Sequence, residues 1–562
     1  MYAFEQLKKE TVKVLTAGGL KDIIVEIPPE NINADLAVPC FSDAKQLKKS
    51  PVEIAKEIAE NIKIPKDSIV GRVAAQGPYI NIYAGAKFFK NAINEVIKEG
   101  SKYAHKKPVK KTMVVDMSAP NIAKPMSVGH LRSTILGDSI ARIYTSLGWK
   151  VIRDNHIGDW GTQFGKLIYA YKKWGDKKKV EKNPIPELLK LYVEFHKKCE
   201  KDKELDDAAR NEFKKLEDRD KENTNLWKWF VDVSLNEFRK TYSELDVCFD
   251  LWLGESFYNE MNAEIITEAL KKGVAKKDGG AIIIDFNDKK MPPFLIQKKD
   301  GATLYSTRDL STIKYRVQKF KPDKIVYAVG GEQAQHFIQL FRAADMLGYA
   351  KKEQMVHVSF GLVSLPEGKM STRNGRVVYL QDVLNKSYDI AEKIIDEKNP
   401  DLKNKKNVAM AVGVGAIKFN DLSQNRIKNI LFDWNRMLSF EGDTGPYLQY
   451  THARGCSILR KAKIKKAPKF EIATTKEEKE LILHLSKYAN AVTLAAVTYE
   501  PHHIATYLLT LSHKFNLFYQ KCPVIVEENK DIKDSRIALV FASKQVISNG
   551  LKLLGIDAVE EM

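Results

Sequence analysis

Two short apolar runs of buried-strand type, MVVDM (113–117) and DKIVYAVG (323–330), constrain this chain more than any other feature. The first is followed by a loop, SAPNIAKPMSVGH, a helical period in LRSTILGDSIARIYTSLG that ends at Gly148, and a second strand in WKVIRDNHIG. The other leads into the helix EQAQHFIQLFRAADMLG and the strand MVHVSFGLVSL (355–365). Strand, helix, strand in that order is a βαβ unit, whose crossover makes the two strands parallel. Two such units far apart in sequence predict one parallel sheet of Rossmann type, split by an insertion.

The rest of the chain divides around that sheet. At roughly 150 residues per domain, 562 residues make room for more than one core. Up to about residue 105, amphipathic helices (PVEIAKEIAENIK, 51–63) alternate with strand-like runs (GPYINIYAG, 77–85), so 1–105 reads as a small N-terminal α+β domain. The lysine-rich SKYAHKKPVKK (101–111) reads as its linker. The parallel-sheet domain then covers 106–440, with an insertion at about 172–300. That insertion is charged and helical over 172–250, and AIIIDF (281–286) and PFLIQK (293–298) read as strands. After about residue 445 no strand pattern is convincing, while apolar spacing of three and four recurs in 479–494, 501–521 and 534–554, which predicts an all-α bundle over 441–562.

Lys plus Arg is 91 against 72 for Asp plus Glu, a formal charge of +19, and such an excess points to a polyanionic partner, nucleic acid first. Because it is spread over many short runs, lysines that merely solvate a surface are the alternative. No window approaches 18 uncharged apolar residues, and the N-terminus MYAFEQLKKETVKVL is amphipathic rather than leader-like. A cytoplasmic protein with no membrane segment is expected. Cys40, Cys199, Cys248, Cys456 and Cys522 are far apart, with no C-x-x-C, and read as buried thiols in a reducing compartment with no structural zinc.

The loop from Asn121 to His130 lies between a buried strand and a helix, whose N-terminus offers free N–H groups and a positive dipole to phosphate. Gly129 allows a planar base or ribose close to the backbone, and His130 can donate to a phosphoryl oxygen. Read alone, V-G-H before a helix favours a capping or packing role for His130. The second half reverses that reading: G-K-M-S-T-R (368–373) places Lys369 and Arg373 around Met370 and Ser371 in a Gly-flanked loop. Cations in such a loop stabilise charge that develops as pyrophosphate leaves.

These two loops are similar to the signatures of class I aminoacyl-tRNA synthetases. SAPNIAKPMSVGHLRST, GDWGTQFG (158–165), GESFY (254–258), LYSTRDL (304–310) and EGDTGPYLQYTHAR (441–454) resemble the arginyl-tRNA synthetases, as does DSRIALVFASKQVISNGLKLLGI (534–556) in their anticodon-binding helices. The resemblance spans nearly the whole chain and is loosest in the N-terminal domain, which in the family touches the corner of the tRNA. It implies ligation of L-arginine to tRNA(Arg) through an arginyl-adenylate, with ATP and Mg2+, by a monomer. It also implies an arginine pocket of Asp116, Asn121, Glu255, Tyr305, Asp309 and Gln333. ATP would lie on Gly129, His130, Lys369, Met370 and Ser371, with His130, Lys369, Lys124 and Ser127 at the chemistry and no resident metal.

The acids among these suit a guanidinium, which is read by forked hydrogen bonds to carboxylates; the alternative for Asp309 is a helix-start carboxylate paired with Arg308. Three positions depart from the family pattern. Ser127 replaces the first histidine of H-x-G-H, a lost donor worth on the order of 1–3 kcal/mol unless water fills the gap. Ala119 replaces a serine, and Thr372 replaces the second lysine of K-M-S-K-S, for which Lys124 is the family's substitute cation. Family members need bound tRNA before activating arginine. A tRNA-binding paralogue without activation is the runner-up, supported by Ser127 and Ala119; a synthetase for another amino acid conflicts with the acidic set. In the bundle, Phe515, Phe518 and Tyr519 read as core more than as base platforms, and RKAKIKKAPK (460–469) as either phosphate contact or solvated linker.

Overall fold

The computed structural model describes residues 1–29, 32–365, 368–369 and 379–562. In the N-terminal part, the helix Ala3–Ala17 turns Phe4, Leu7, Val14 and Leu15 inward onto an antiparallel sheet of β1 (Leu36–Pro39), β2 (Val70–Gln76) and β3 (Tyr79–Ala84), in the order β1-β3-β2. The helix Pro51–Asn61 starts where its sequence dictates. Pro51 occupies the first turn, the Glu53 N–H donates to Ser50 Oγ at 3.2 Å, and Glu53 Oε2 accepts from the Ser50 N–H at 2.9 Å, satisfying two of the orphan donors of a helix start.

The predicted split sheet forms. β4 (Thr112–Asp116) and β5 (Lys150–Asp154) are parallel and joined by the helix Val128–Ser146. After the helical stretch comes a small antiparallel sheet of β6 (Ala275–Asp278), β7 (Ala281–Ile284) and β8 (Phe294–Gln297), of which β6 carries too little apolar pattern to be visible in sequence. The chain then returns through β9 (Lys324–Tyr327) and β10 (Met355–His357), and the four parallel strands lie in the order β10-β9-β4-β5. Met113, Val114 and Val115 of β4 are fully buried, as a central parallel strand requires. The helix Val128–Ser146 is buried on nearly all sides: Ser139 donates to Leu553 O at 2.9 Å and Tyr144 OH to Ala496 O at 3.0 Å, tying it to the C-terminal bundle.

MVHVSFGLVSL, expected as one strand, is two. β10 ends at His357, and β11 (Val363–Leu365) joins another sheet with β12 (Gly368–Lys369) and β13 (Ile430–Leu431), in the order β12-β11-β13. Gly361 marks the break, because a Cβ there would meet Lys428 O at 2.7 Å and Ile427 O at 2.8 Å. The insertion expected at about 172–300 is helical as far as Lys271, beginning at the helix Thr162–Trp174 and including Lys221–Glu244, and ends in the β6-β7-β8 sheet.

Past Gly445 the chain is helical, with helices Gly445–Lys461, Lys476–Ser486, Tyr488–Thr498, His502–Lys521 and Lys530–Leu553. Phe515 and Phe518 are core residues, whereas Tyr519 is 39% exposed. The linker SKYAHKKPVKK (101–111) is partly docked: Tyr103 is buried, meets Tyr2 edge-on at 5.2 Å and stacks on Tyr488 of the bundle at 6.0 Å. Asn94 exchanges hydrogen bonds with the Phe470 backbone at 2.9 and 3.1 Å, and Asn549 donates to Gly100 O at 3.0 Å. Of the cysteines, all free, Cys40, Cys456 and Cys522 are buried, but Cys199 is half-buried and Cys248 exposed, contrary to the uniform burial expected. Among the described residues no helix is long and apolar enough to cross a membrane.

The bundle contains a histidine whose titration is coupled to folding. His484 stacks on Tyr507 at 4.4 Å and its Nε2–H donates to Tyr507 O at 3.0 Å; burial pushes its pKa down to about 4. An unfolded chain takes up this proton near pH 6.5, whereas the folded one resists until about pH 4. The stabilisation is therefore complete above pH 6.5 and is lost as pH falls toward 4, amounting to about 3 kcal/mol at 1.36 kcal/mol per unit. Urea unfolding at pH 7.5 and 4.5 should show a smaller loss for His484→Gln than for the wild type; equal losses would detach His484 from the acid lability.

Candidate active site

The carboxyl edge of a parallel sheet is where α/β proteins place their ligands, and here it carries charge. Asp116 and Asp154 end β4 and β5 opposite each other in register. Between them lies Arg316, fully buried, from the helix Tyr305–Phe320. Its Nη2 donates to Asp116 Oδ2 at 2.6 Å and to Asp154 Oδ2 at 2.8 Å, and its Nε to Asp154 Oδ2 at 3.0 Å. Burial raises the Asp154 pKa while Arg316 opposes it, and the guanidinium lies 5.5 Å from the Tyr327 ring. Asp116, expected to face an arginine substrate, is only 6% exposed and has one oxygen committed to this internal arginine.

The same helix presents its first turn to the site. Tyr305 is 56% exposed and meets His336 edge-on at 4.9 Å. His336 Nε2 donates to Asp309 Oδ2 at 2.6 Å, which orients that carboxylate. The pairing of Asp309 with Arg308 does not form; Arg308 Nε instead lies 3.7 Å from Glu255 Oε2. Burial raises the pKa of Glu255, Arg308 lowers it, and Asp309 acts on it as a like charge, so the two acids share one electrostatic environment. Gln333 is exposed at the end of the turn Gly331–Gln333, directly before the helix that carries His336.

Close packing fixes the neighbouring loops. Asp159 accepts from the Ser256 N–H at 2.8 Å and from Ser256 Oγ at 2.6 Å, and a Cβ at Gly254 would sit 2.3 Å from its carboxylate. Asn121, exposed, bridges to Gly158, where a Cβ would lie 2.3 Å from Asn121 Oδ1. Gly254 of GESFY and Gly158 of GDWGTQFG are thus needed so that these chains can touch. His336, Asp159 and Arg316 were not singled out from sequence, and Arg308 was named only as a partner for Asp309. The one available signal was a histidine three residues past Gln333, which by itself reads as packing.

The loop before the helix Val128–Ser146 is strained, with Ser118 (φ 77°), Ala119 (φ 51°) and Ala123 (φ 61°) in the left-handed region, a cost that the surroundings must offset. The Ser118 N–H donates to Ser133 Oγ at 2.8 Å, and its hydroxyl is 2.6 Å from Tyr242 OH. The Ala119 N–H donates to Asn155 Oδ1 at 3.1 Å, and the Ala123 N–H to Ser234 Oγ at 3.1 Å. Ser234 and Tyr242 belong to the helix Lys221–Glu244, so the helical insertion braces this loop.

At the helix start, the Ser127 N–H donates to His130 Nδ1 at 3.0 Å, and Ser127 Oγ lies at the same distance from that nitrogen. An acceptor role for Nδ1 assigns the ring proton to Nε2, and burial pushes the His130 pKa below its ordinary value, keeping the ring neutral near pH 7. Gly129 is exposed beside it. Lys124 is half-buried, its Nζ 5.0 Å from the Tyr192 ring, and burial lowers its pKa. The Lys369 backbone pairs with Ser364 in the β11-β12 hairpin; the Lys369 side chain and Met370, Ser371, Thr372 and Arg373 lie outside the described residues. Asp116 and Asp154 are engaged by Arg316, Glu255 lies beside Arg308 and Asp309 is held by His336. These acids therefore do not fit a resident magnesium site.

Residues 92–434 match the family described as tRNA synthetases class I (R), catalytic domain, which places the split sheet and its carboxyl-edge loop among the class I aminoacyl-tRNA synthetases. Residues 4–84 match the arginyl tRNA synthetase N terminal domain, and 448–562 the DALR anticodon binding domain. The arginine–tRNA ligase of Clostridioides difficile is 45% identical, over 99% of this chain and 97% of that protein. Among solved structures, Thermus thermophilus arginyl-tRNA synthetase superposes with a TM-score of 0.81 at 26% identity, covering 99% of both chains. The Plasmodium falciparum enzyme gives 0.80 at 25% identity, over 99% of this chain and 98% of that one. The chain belongs to the arginyl-tRNA synthetases.

The buried triad makes a direct prediction. Arg316→Ala leaves two desolvated carboxylates facing each other, and removing one partner of a buried pair costs about 3–5 kcal/mol. Urea unfolding should report a loss of that size; a change below about 1 kcal/mol would mean that the acids are solvated and the network is not structural.

Proposed function

We propose that this chain attaches L-arginine to tRNA(Arg) at the expense of ATP, in two steps. The arginine carboxylate attacks the α-phosphorus of ATP in line, displacing pyrophosphate, and the terminal ribose hydroxyl of the tRNA then takes the arginyl group from the adenylate. No protein nucleophile is needed; the chemistry rests on positioning and cationic stabilisation. The observation that carries this reading is the oriented acid of the pocket, Asp309, held by His336 at 2.6 Å beside the partly buried Glu255.

Asp309 and Glu255 are the acceptors for the substrate guanidinium, with Asn121, Tyr305 and Gln333 around them. Asp116 contributes through its place beside Arg316 and one remaining oxygen. ATP lies over Gly129, with Lys369, Met370 and Ser371 assigned to its phosphates and His130 donating from Nε2. Lys124 supplies the further cation. Magnesium enters with ATP as part of the substrate. Ser127, expected as a missing donor, supports a different role: it stands in contact with His130 Nδ1 and fixes the tautomer that leaves Nε2–H free.

Residues 1–105 serve the corner of the tRNA, 106–440 the chemistry and 441–562 the anticodon. The run 460–469, which begins in the last turn of the helix Gly445–Lys461, is the backbone-phosphate contact. The enzyme acts as a cytoplasmic monomer.

Exchange of labelled pyrophosphate into ATP should require arginine and bound tRNA(Arg) together. Its absence under every condition, with tRNA still bound, would favour a binding protein that has lost activation. Asp309→Ala should raise the arginine KM by about a hundredfold or more with tRNA affinity unchanged; unaltered arginine kinetics would remove Asp309 from the pocket. Ser127→Ala should lower the exchange kcat by about threefold to tenfold, the worth of one neutral hydrogen bond; an unchanged kcat would mean that the backbone N–H alone holds His130.

A further inference from the structure

Arg132 lies two residues beyond His130 on the same helix and is 1% exposed. Its guanidinium makes no contact with the sheet acids; it reaches across to a different part of the chain. Nη1 donates to Gly361 O at 2.6 Å and to Lys428 O at 2.9 Å, Nη2 donates to Arg426 O at 3.0 Å, and Nε donates to Asp421 Oδ1 at 3.1 Å.

The three carbonyls are not scattered. Gly361 lies just before β11, and Arg426 and Lys428 just before β13, the strand that pairs with β11 in parallel. β11 in turn pairs with β12, the strand that contains the Lys369 backbone. The two approaches are pressed together: the Gly361 N–H donates to Arg426 O at 3.0 Å, and the Leu362 N–H to Asn429 Oδ1 at 2.8 Å. One planar fork therefore gathers the root of the small sheet and fastens it to the first turns of the helix that carries His130. A lysine presents three donors from a single point and cannot serve acceptors spread around a fork.

We propose that Arg132 is a positioning residue for adenylate formation, which sets the root of the Lys369-bearing sheet relative to His130 so that the two phosphate-binding elements meet one ATP. This rests on the synthetase reading above. Positioning of this kind acts on the step in which charge develops at the α-phosphorus, not on the pocket that reads the amino acid, because neither Asp309 nor Glu255 touches the fork. The signature helix and the small sheet are thus one mechanical unit, although their sequences are more than two hundred residues apart.

The test uses full-length protein in arginine- and tRNA-dependent pyrophosphate exchange, with melting temperature measured alongside. Arg132→Lys should lower kcat by about tenfold to a hundredfold, the effect of displacing a reacting geometry by about 1 Å, with the arginine KM and tRNA affinity within about threefold. Asp421→Asn removes the carboxylate but leaves the three carbonyl contacts, so it should lower the melting temperature while keeping kcat within about threefold. An Arg132→Lys kcat within about twofold of the wild type would overturn the proposal. So would losses that track melting temperature equally in both variants. If the unsubstituted protein shows no arginine-dependent exchange, the synthetase reading fails and takes the role of Arg132 with it.

Discussion

Two carboxylates at the ends of neighbouring parallel strands cannot both stay ionised in a dry interior without a cation between them. Arg316 supplies it to Asp116 and Asp154. That requirement fixes more than a local pair, because Arg316 is borne by the helix Tyr305–Phe320. Once its guanidinium is seated on the sheet, the first turn of that helix has one possible place. Tyr305, Arg308 and Asp309 are carried to the sheet's carboxyl edge, Arg308 beside Glu255 and Asp309 beside His336. The acids proposed for the arginine pocket are therefore positioned by acids that do not themselves face solvent.

A second guanidinium does similar work on the nucleotide side. Arg132 ties the helix that begins at Ser127 to the small sheet of β11, β12 and β13, and the helical insertion holds the loop ahead of it through Ser234 and Tyr242. Left-handed backbone at Ser118, Ala119 and Ala123 costs about 1–3 kcal/mol at each residue and persists because serine, asparagine and tyrosine side chains meet its amides and hydroxyls. Ala119 suits this conformation as a small side chain, and its N–H, not its side chain, makes the contact to Asn155.

The split parallel sheet was legible because β4 and β9 are apolar runs bounded by polar loops, and the bundle was legible because its helices keep a clean period. The break at Gly361 was not legible, since a strand pattern carries no information about a chain passing 2.7 Å from where a side chain would be. SKYAHKKPVKK read as linker on its lysines, yet one aromatic, Tyr103, docks it. At the site, the pocket residues were carried by family motifs, whereas their partners His336, Arg308 and Arg316 depend on contacts between distant segments. Ser127 is the most instructive position: the family resemblance implies a lost imidazole there, and geometry shows the serine in contact with the imidazole that remains.

In the proposed function, oriented carboxylates read the positive charge of the substrate, not its length. Comparing arginine with citrulline, its uncharged near-isostere, in tRNA-dependent pyrophosphate exchange tests this most directly. A site built to bond a charged fork should favour arginine in kcat/KM by a factor on the order of 10⁴ or more, because the neutral ligand forfeits the charge-assisted hydrogen bonds to two half-buried acids. A ratio within about tenfold would mean that Asp309 and Glu255 do not face the substrate's charge.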